Sequence, residues 1–565
     1  MTRHALFVVL FTLLASGCGP TQEPAPAEPA SVEPARDFRP NILWLVAEDL
    51  SPVIPSFGDS TIVTPVLSRL ADEGVRYTHV FSPSGVCAPS RAAIATGMYP
   101  THIGAQHMRT GPWYGGTITP QTIKDAAKGM PPGITPYEAV PPPAVKMHSE
   151  YLRRAGYYTT NNAKEDYQFR KPVTAWDESS PRAHWRNRKP GQPFFAVFNF
   201  GVTHESQIWA KAEDPLLVAE DLDVPVPPYL PDTEVGRRDV RRMYSNIIEM
   251  DTQVGRILAE LEEDGLLDST IVFWYTDHGG PLPRQKRLLY DAGMRLPMII
   301  RFPFRQHAGE VDDRLVSFID FLPTILSLAG IEPGAYLDGQ AFLGPYTAPT
   351  PRTYVHGAAD RFDERYDMIR AVRDHRFKYL RNFRPKQGYY LPVAYREQMP
   401  IMQELLRLRD AGALDEYQAQ WFRPEKLEEE LFDTESDPYE LHNLAADPAY
   451  ADKLAELRAE CDRWMQATGD KGLMPEAAFI ESIWPGRVQP ATSPPVATRQ
   501  GNQITLHSDT ESASIGYQRL QGSEALGKTW QVYTGPVTLE AGERLVVVAH
   551  RIGFLPSEPV TVEGA

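Results

Sequence analysis

Three stretches of this chain are apolar almost throughout and end abruptly on polar groups. Residues 41–46 read Asn-Ile-Leu-Trp-Leu-Val, residues 194–200 Phe-Phe-Ala-Val-Phe-Asn-Phe, and residues 269–276 Ser-Thr-Ile-Val-Phe-Trp-Tyr-Thr. A strand with one wet face alternates apolar and polar residues, so unbroken runs demand cover on both faces, as inside a parallel sheet flanked by helices. The runs lead into Glu48-Asp49, into Thr203-His204-Glu205, and into Asp277-His278 with Gly279 and Gly280 behind. Open α/β sheets bind ligands just beyond the carboxyl ends of their strands. The pattern predicts an α/β fold with a large mixed, mostly parallel sheet flanked by helices. Adjacent carboxylates such as Glu48 and Asp49 repel unless a cation lies between them. An oxygen-rich set of Glu48, Asp49 and Asp277, with His278 beside it, fits a hard divalent cation such as Ca²⁺.

A second feature is Cys87-Ala-Pro-Ser-Arg91. It follows a segment, residues 75–81, that alternates like a half-buried strand, and a loop over 82–86. It opens a helix that Gly97 and Pro100 stop. Pro89 suits a first helical turn, where its missing N–H is not needed. A side chain at 87 then sits at the positive end of a helix with the Arg91 guanidinium one turn away, which favours an anion beside it. Strand ends that an α/β sheet could gather around it supply Lys164, after the strand-like Tyr157-Tyr-Thr-Thr160, and Lys286, after Asp277-His278.

The 565 residues carry a net charge of −16, which excludes a nucleic-acid or anionic-membrane surface and means that an anion must be drawn by a local basic pocket. Three cysteines, Cys18, Cys87 and Cys461, rule out a disulfide framework. Cys461 lies in an amphipathic stretch and reads as a helix-packing residue. Arg3 and His4, an apolar run to Leu14, and Ala15-Ser-Gly-Cys18 read as a signal peptide over residues 1–18. Its small residues resemble a bacterial lipobox. The expectation is export to the periplasm or cell surface, with a lipid anchor on Cys18 as the only membrane contact and a Pro/Ala/Glu-rich tether over 19–38.

Cys-x-Pro-Ser-Arg, with Ala92, Ala93, Thr96 and Gly97, resembles the modification signature of the formylglycine-dependent (type I) sulfatases of the alkaline-phosphatase superfamily, and the whole run is similar to carbohydrate and N-sulfoglucosamine-type members. The resemblance implies that a separate maturation enzyme oxidises Cys87 to an aldehyde, whose hydrate attacks sulfur. It implies one divalent metal, generally calcium, held by Glu48, Asp49, Asp277 and His278 with the residue-87 side chain facing it. Glu48 departs from the usual Asp-Asp by one methylene. Lys286-Arg-Leu-Leu-Tyr290-Asp-Ala-Gly293 resembles the segment whose lysine contacts the sulfate, and Lys164 matches the lysine of Gly-Lys-x-His. Asp166 stands where that pattern has its histidine. His204 matches a histidine that protonates the leaving group, and Arg91 helps hold the diol. His107 and Arg109, in a polar loop, are candidates for contacting substrate beyond the sulfate.

The domains expected are a catalytic domain over 39–350, a smaller α+β subdomain over 351–487 and a small β-sandwich over 488–565. Short strands with Gly, Ser and Asp turns mark the last, which resembles immunoglobulin-like modules. The implied activity is hydrolysis of sulfate esters or N-sulfo groups of a sulfated saccharide. Two other readings stand beside it: a phosphate or phosphonate ester hydrolase of the same superfamily, and a non-catalytic glycan-binding lipoprotein in which Cys87 stays a thiol.

Overall fold

The three apolar runs lie side by side in the computed structural model, which describes residues 39–564. The signal peptide, the Cys18 anchor and the 19–38 tether fall outside the described residues. Nine strands build the main sheet: β1 (Asn41–Ala47), β2 (Val75–Phe81), β3 (Tyr158–Asn162), β4 (Glu178–Ser179), β5 (Phe194–Phe200), β6 (Thr270–Thr276), β7 (Arg295–Arg301), β8 (Val311–Asp312) and β9 (Val316–Ser317). Their order is β4-β3-β5-β1-β6-β7-β2-β8, with β9 beside β2. β1 runs parallel to both β5 and β6, while β7 is antiparallel to β6 and to β2. Ala47 pairs with Phe200 on one side and Thr276 on the other. The residues that follow, Glu48 and Asp277, therefore emerge at one level, and the register alone brings two distant acidic pairs together.

Both faces of the central strands are covered, as the absence of alternation requires. Leu43, Leu45, Ala196, Phe198, Val272 and Trp274 pack with Val240, Ile247, Val254 and Leu258 of the long helix Glu234–Glu263. On the other face Ile42, Trp44, Val46, Phe195, Val197, Phe273 and Tyr275 meet Leu152 of the helix His148–Arg154 and Phe321, Leu322 and Ile325 of the helix Phe321–Leu328. Trp44 stands edge-on to Phe195 and Tyr275 at ring distances of 4.9 and 5.6 Å. Truncating so large a buried ring to Ala costs about 3–5 kcal/mol, so this layer fixes β1 rigidly beneath the residues at its end.

Four antiparallel strands follow: β10 (Val355–Ala359), β11 (Ile369–Arg373), β12 (Phe377–Asn382) and β13 (Glu429–Asp433), in sequence order. The helix Ala451–Thr468 packs on them, with Cys461 buried in the shared core as its amphipathic stretch implied. Arg361 and Arg370 are buried here in ion pairs, Arg361 on Glu476 and Arg370 on Asp360 and Asp470. The C-terminal residues form two all-β sheets. One holds β14 (Val496–Gln500), β15 (Gln503–His507) and β18 (Val537–Thr538). The other holds β16 (Ser514–Gln521), β17 (Gln531–Val532), β19 (Glu543–His550) and β20 (Val560–Glu563). Ile504, Leu506, Ile515, Leu545 and Val547 fill the space between them. Arg153 donates to the Trp530 carbonyl at 2.6 Å and Lys146 to the Ser512 carbonyl at 2.7 Å, tying these sheets to the helix His148–Arg154 and the residues before it. Among the described residues no helix is long and apolar enough to cross a membrane.

Candidate active site

The helix that carries the cysteine motif spans Cys87–Thr96, and all ten of its residues are buried. It ends at Gly97 in the left-handed conformation (φ 67°), which a glycine adopts without strain. Val86 stands at its N-cap and supplies no side-chain acceptor. The first helical N–H groups, with the positive end of the dipole, are therefore left facing the site. The Cys87 sulfur lies 3.3 Å from His278 Nε2 and 4.0 Å from Asp49 Oδ1. Burial raises the thiol's pKa, but the charges of Lys164 and Lys286 outweigh it and bring the group down to about 6.

The acidic pairs meet as the strand register requires. His278 Nε2 is 3.0 Å from Asp49 Oδ1 and 3.8 Å from Asp277 Oδ1. The His278 Nδ1 faces the Gly279 carbonyl at 3.0 Å, so it carries a proton and Nε2 is the ring atom turned to the carboxylates. Donor atoms of Asp49, Cys87, Asp277 and His278 all lie within 4.8 Å of one another, and those of Glu48, Asp49, Cys87 and His204 form a second, overlapping group. Burial opposes every charge here. Even so Lys286, His204 and His278 hold Asp49 well below the ordinary carboxylate range, and His278, Arg91 and Lys164 hold Asp277 at about 2. Asp277 and Asp49 carry His278 up to about 10 against burial. Two ionised, fully buried carboxylates converging on one imidazole nitrogen need positive charge at that point, which either a second proton on His278 or a cation in its place supplies. With oxygen donors predominating, the residues fit a hard divalent cation. Glu48 keeps a place among the possible ligands, grouped with Asp49, Cys87 and His204, and also pairs with cations. Its longer side chain turns to Lys164 Nζ at 2.7 Å and Arg91 at 3.8 Å, and its donor atom is not grouped with those of Asp277 and His278.

Cations from three remote segments ring the sulfur. Arg91 donates through Nε to Asp277 at 3.0 Å and through another nitrogen to Asn199 Oδ1 at 2.8 Å. Lys286 lies 2.6 Å from Asp49 Oδ2, 3.2 Å from Glu205 and 3.2 Å from His204 Nε2. His204 Nδ1 accepts from the Ser206 backbone N–H at 3.2 Å, with Ser206 Oγ at 2.9 Å, which leaves Nε2 as the ring nitrogen that faces Lys286 and the cavity. A cavity of about 140 Å³ opens above the sulfur, with Cys87, Arg109, His204, Lys286, Arg287 and Tyr395 on its walls. This is the local basic pocket that an acidic protein needs. Arg109 reaches it, held by Asp166 at 3.1 Å. His107 does not: its ring is buried edge-on to Tyr366, its Nδ1 accepts from the Arg361 N–H at 3.2 Å, and burial takes it down to about 4.

The structure adds residues that the motifs did not single out. Glu205 accepts two hydrogen bonds from Arg287, at 2.8 and 2.7 Å, and its own N–H donates to Asp49 at 2.7 Å. Arg287 and Lys286 hold Glu205 at about 2 against burial. Ser90 donates to the Asp277 carbonyl, and Thr203 Oγ1 accepts from the Glu48 N–H at 3.2 Å. Asn199 carried a readable signal, as the lone polar residue in an apolar run. Glu205 and Arg287 each stand next to a motif residue, His204 and Lys286, and carry no spacing signal of their own.

A cysteine at a helix start, beside a carboxylate–imidazole cluster and inside a ring of Lys and Arg at the carboxyl ends of a mostly parallel sheet, defines an α/β enzyme site for an oxyanion ester. Comparison with known proteins gives the family. Residues 40–331 match the sulfatase family, and residues 284–392 match the N-sulphoglucosamine sulphohydrolase C-terminal family. An ulvan-active sulfatase of Formosa agariphila is 53% identical over 559 residues, covering 93% of this chain and 91% of that protein. Human N-sulphoglucosamine sulphohydrolase is 26% identical over 79% of this chain and 94% of its own length. Among solved structures, one in complex with D-glucosamine-2-N,6-O-disulfate superposes with a TM-score of 0.53 at 17% identity, covering 78% of this chain and 99% of that one. The phosphonate monoester hydrolase of Silicibacter pomeroyi gives 0.51 at 18% identity, covering 77% and 97%. These two show the fold. The chain belongs to the sulfatase family and is a sulfuric ester hydrolase.

Proposed function

We propose that this protein removes sulfate from sulfated carbohydrates, as sulfate esters or N-sulfo groups, through a formylglycine made from Cys87 by a maturation enzyme. The observation that carries the reading is the placement of the Cys87 sulfur at an uncapped helix start, 3.3 Å from His278 Nε2 and among Arg91, Lys164 and Lys286. The carbohydrate class is supported by the ulvan-active relative at 53% identity, whereas the fold itself is shared with a phosphonate ester hydrolase. As an aldehyde, residue 87 supplies a hydrated nucleophile that neither a thiol nor a hydroxyl supplies. A divalent cation such as Ca²⁺, held by Asp49, Asp277 and His278 with Glu48 at the margin, supplies charge stabilisation to the sulfuryl oxygens.

The chain's own residues do the rest. Arg91 is fixed by Asp277 and Asn199, so its guanidinium is oriented before substrate arrives and spends no reorganisation on the transferring group. Lys286 and Lys164 bring point charges to residue 87. His204 lines the cavity above, and with Nδ1 accepting from the Ser206 N–H its ring proton sits on Nε2, from where it is placed to pass to the departing oxygen or nitrogen. The corner where Asp166 replaces the family's histidine has no imidazole, which leaves His204 as the proton donor on the cavity wall. The terminal all-β sheets are read as an immunoglobulin-like module, and the protein as exported and lipid-anchored at Cys18. The test is sulfate release, followed by ion chromatography, from defined sulfated saccharides, with and without chelator. Release that Cys87→Ala and chelation both abolish is expected. Faster turnover of a phosphonate monoester than of every sulfated saccharide overturns the reading.

A further inference from the structure

We propose that Arg109, positioned by Asp166, reads a second anionic group, a carboxylate or another sulfate, on the saccharide that carries the scissile sulfate. The inference rests on the sulfatase reading above and adds a selectivity that the family assignment does not contain. The cations around Cys87 are inner and committed. Lys286 and Arg91 are 3% and 6% exposed and are bonded to Asp49 and Asp277. Arg287, the other guanidinium on the cavity wall, is engaged on two nitrogens by Glu205. Arg109 differs in both respects. Its side chain is 40% exposed, at the mouth, and a single nitrogen makes both of its contacts with Asp166, at 3.1 and 3.2 Å. Its Nε and remaining terminal nitrogen have no protein acceptor among the described residues. Those N–H groups form the planar fork that matches a carboxylate or sulfate with two parallel bonds.

Asp166 is buried and serves as the anchor. Arg109 and Asp166 both hold the left-handed backbone, at φ 60° and 62°. Side chains other than glycine, asparagine and aspartate rarely adopt it, and it persists where surrounding structure over-determines the geometry. The residue that departs from the family's histidine pattern thus has a defined partner. An aspartate there removes a cation from the inner site and fixes one at the outer site.

The test uses the full-length matured protein and three substrates: a neutral sugar with one sulfate, the same sugar with a second sulfate, and the same sugar linked to a uronate. For each variant the ratio of kcat/KM on a dianionic substrate to that on the monosulfated one is measured. Arg109→Ala is expected to lower this ratio about ten- to a hundredfold, the range for losing a hydrogen bond to a charged group. The loss should fall in KM rather than kcat. Asp166→Asn is expected to lower the ratio less, and Arg109→Lys to restore part of it. Whichever dianionic substrate shows the drop identifies the anion. A ratio unchanged for both, with all three substrates losing activity together, overturns the proposal and places Arg109 on the scissile sulfate. Affinity of the intact saccharides for the Cys87→Ser chain, with and without Arg109→Ala, gives the same comparison without turnover. A wild-type chain that binds the dianionic sugars no better than the monosulfated one overturns the proposal. Failure of the function itself is a distinct result: no sulfate released from any substrate.

Discussion

Replacing Glu205 with Gln tests whether the cations of the pocket are held by buried charge pairing. The Glu205 carboxylate accepts from two nitrogens of Arg287 at 2.8 and 2.7 Å and lies 3.2 Å from Lys286, with all three side chains at most 6% exposed. Removing one partner of a buried pair costs about 3–5 kcal/mol, because the other charge stays desolvated and unpaired. Glutamine keeps the volume and one acceptor, so a loss near the lower end, about 3 kcal/mol, is expected. Arg287→Met leaves Glu205 with Lys286 as counter-charge and should cost about 2 kcal/mol. In the double variant neither charge is stranded, so its cost should fall at least about 1–2 kcal/mol short of the sum. Urea unfolding of the four chains, with Cys87 unmodified and tryptophan fluorescence as readout, measures this directly. The pH dependence supplies a second check. The Glu205 carboxyl is held at about 2, below its ordinary 4.5. Its contribution is therefore full above about pH 4.5 and is lost as pH falls toward 2, so wild type and Glu205→Gln should converge over that window. Singles within about 0.5 kcal/mol of wild type, or strictly additive costs, would refute the reasoning.

Two further outcomes are expected. A Cβ at Gly279 would lie 2.2 Å from the Ala292 carbonyl oxygen and 2.6–2.7 Å from Gly293 backbone atoms, so Gly279→Ala should push the Asp277–His278 turn off its partner loop. Loss of most sulfatase activity with weakened calcium binding by calorimetry is expected, and wild-type affinity would contradict it. Asp239, buried under the Ile401 N–H at 2.7 Å, is pushed by burial from 3.8 to about 7. A raised carboxyl contributes fully below the unfolded value and loses that contribution as pH climbs through the folded one. Asp239→Asn should match wild type near pH 4 and gain on it up to about pH 7, by at most about 4 kcal/mol; a pH-independent difference in melting temperature would count against the shift.

Much of this site was legible because chemistry and pattern coincided. The three apolar runs demanded two-sided burial, and the register of β1 with β5 and β6 then placed Asp49 and Asp277 together without further assumption. Cys87 and Arg91 stood out through the resemblance of Cys-x-Pro-Ser-Arg to the sulfatase signature, with helix-start chemistry in support. What stayed hidden were the partners that set orientation. Glu205 and Arg287 act through pairings across the sheet end, which no local spacing encodes. Glu48 reads as a ligand by position and stays within reach of Asp49 and Cys87, while its side chain also meets Lys164, a pairing of ångströms that a sequence does not carry. His107 and Arg109 are two apart in one polar loop. One turns into the Tyr366 side and the other into the cavity, a matter of backbone conformation decided at Arg109 itself.

The central claim is that residue 87 works as an aldehyde rather than a thiol, and mass spectrometry of the Cys87 peptide tests it most directly. Protein from a host with formylglycine-generating machinery should yield that peptide with the sulfur replaced by an aldehyde oxygen, in a fraction that scales with the rate of sulfate release across preparations. An unmodified thiol throughout a preparation that hydrolyses sulfate esters at full rate would contradict the account.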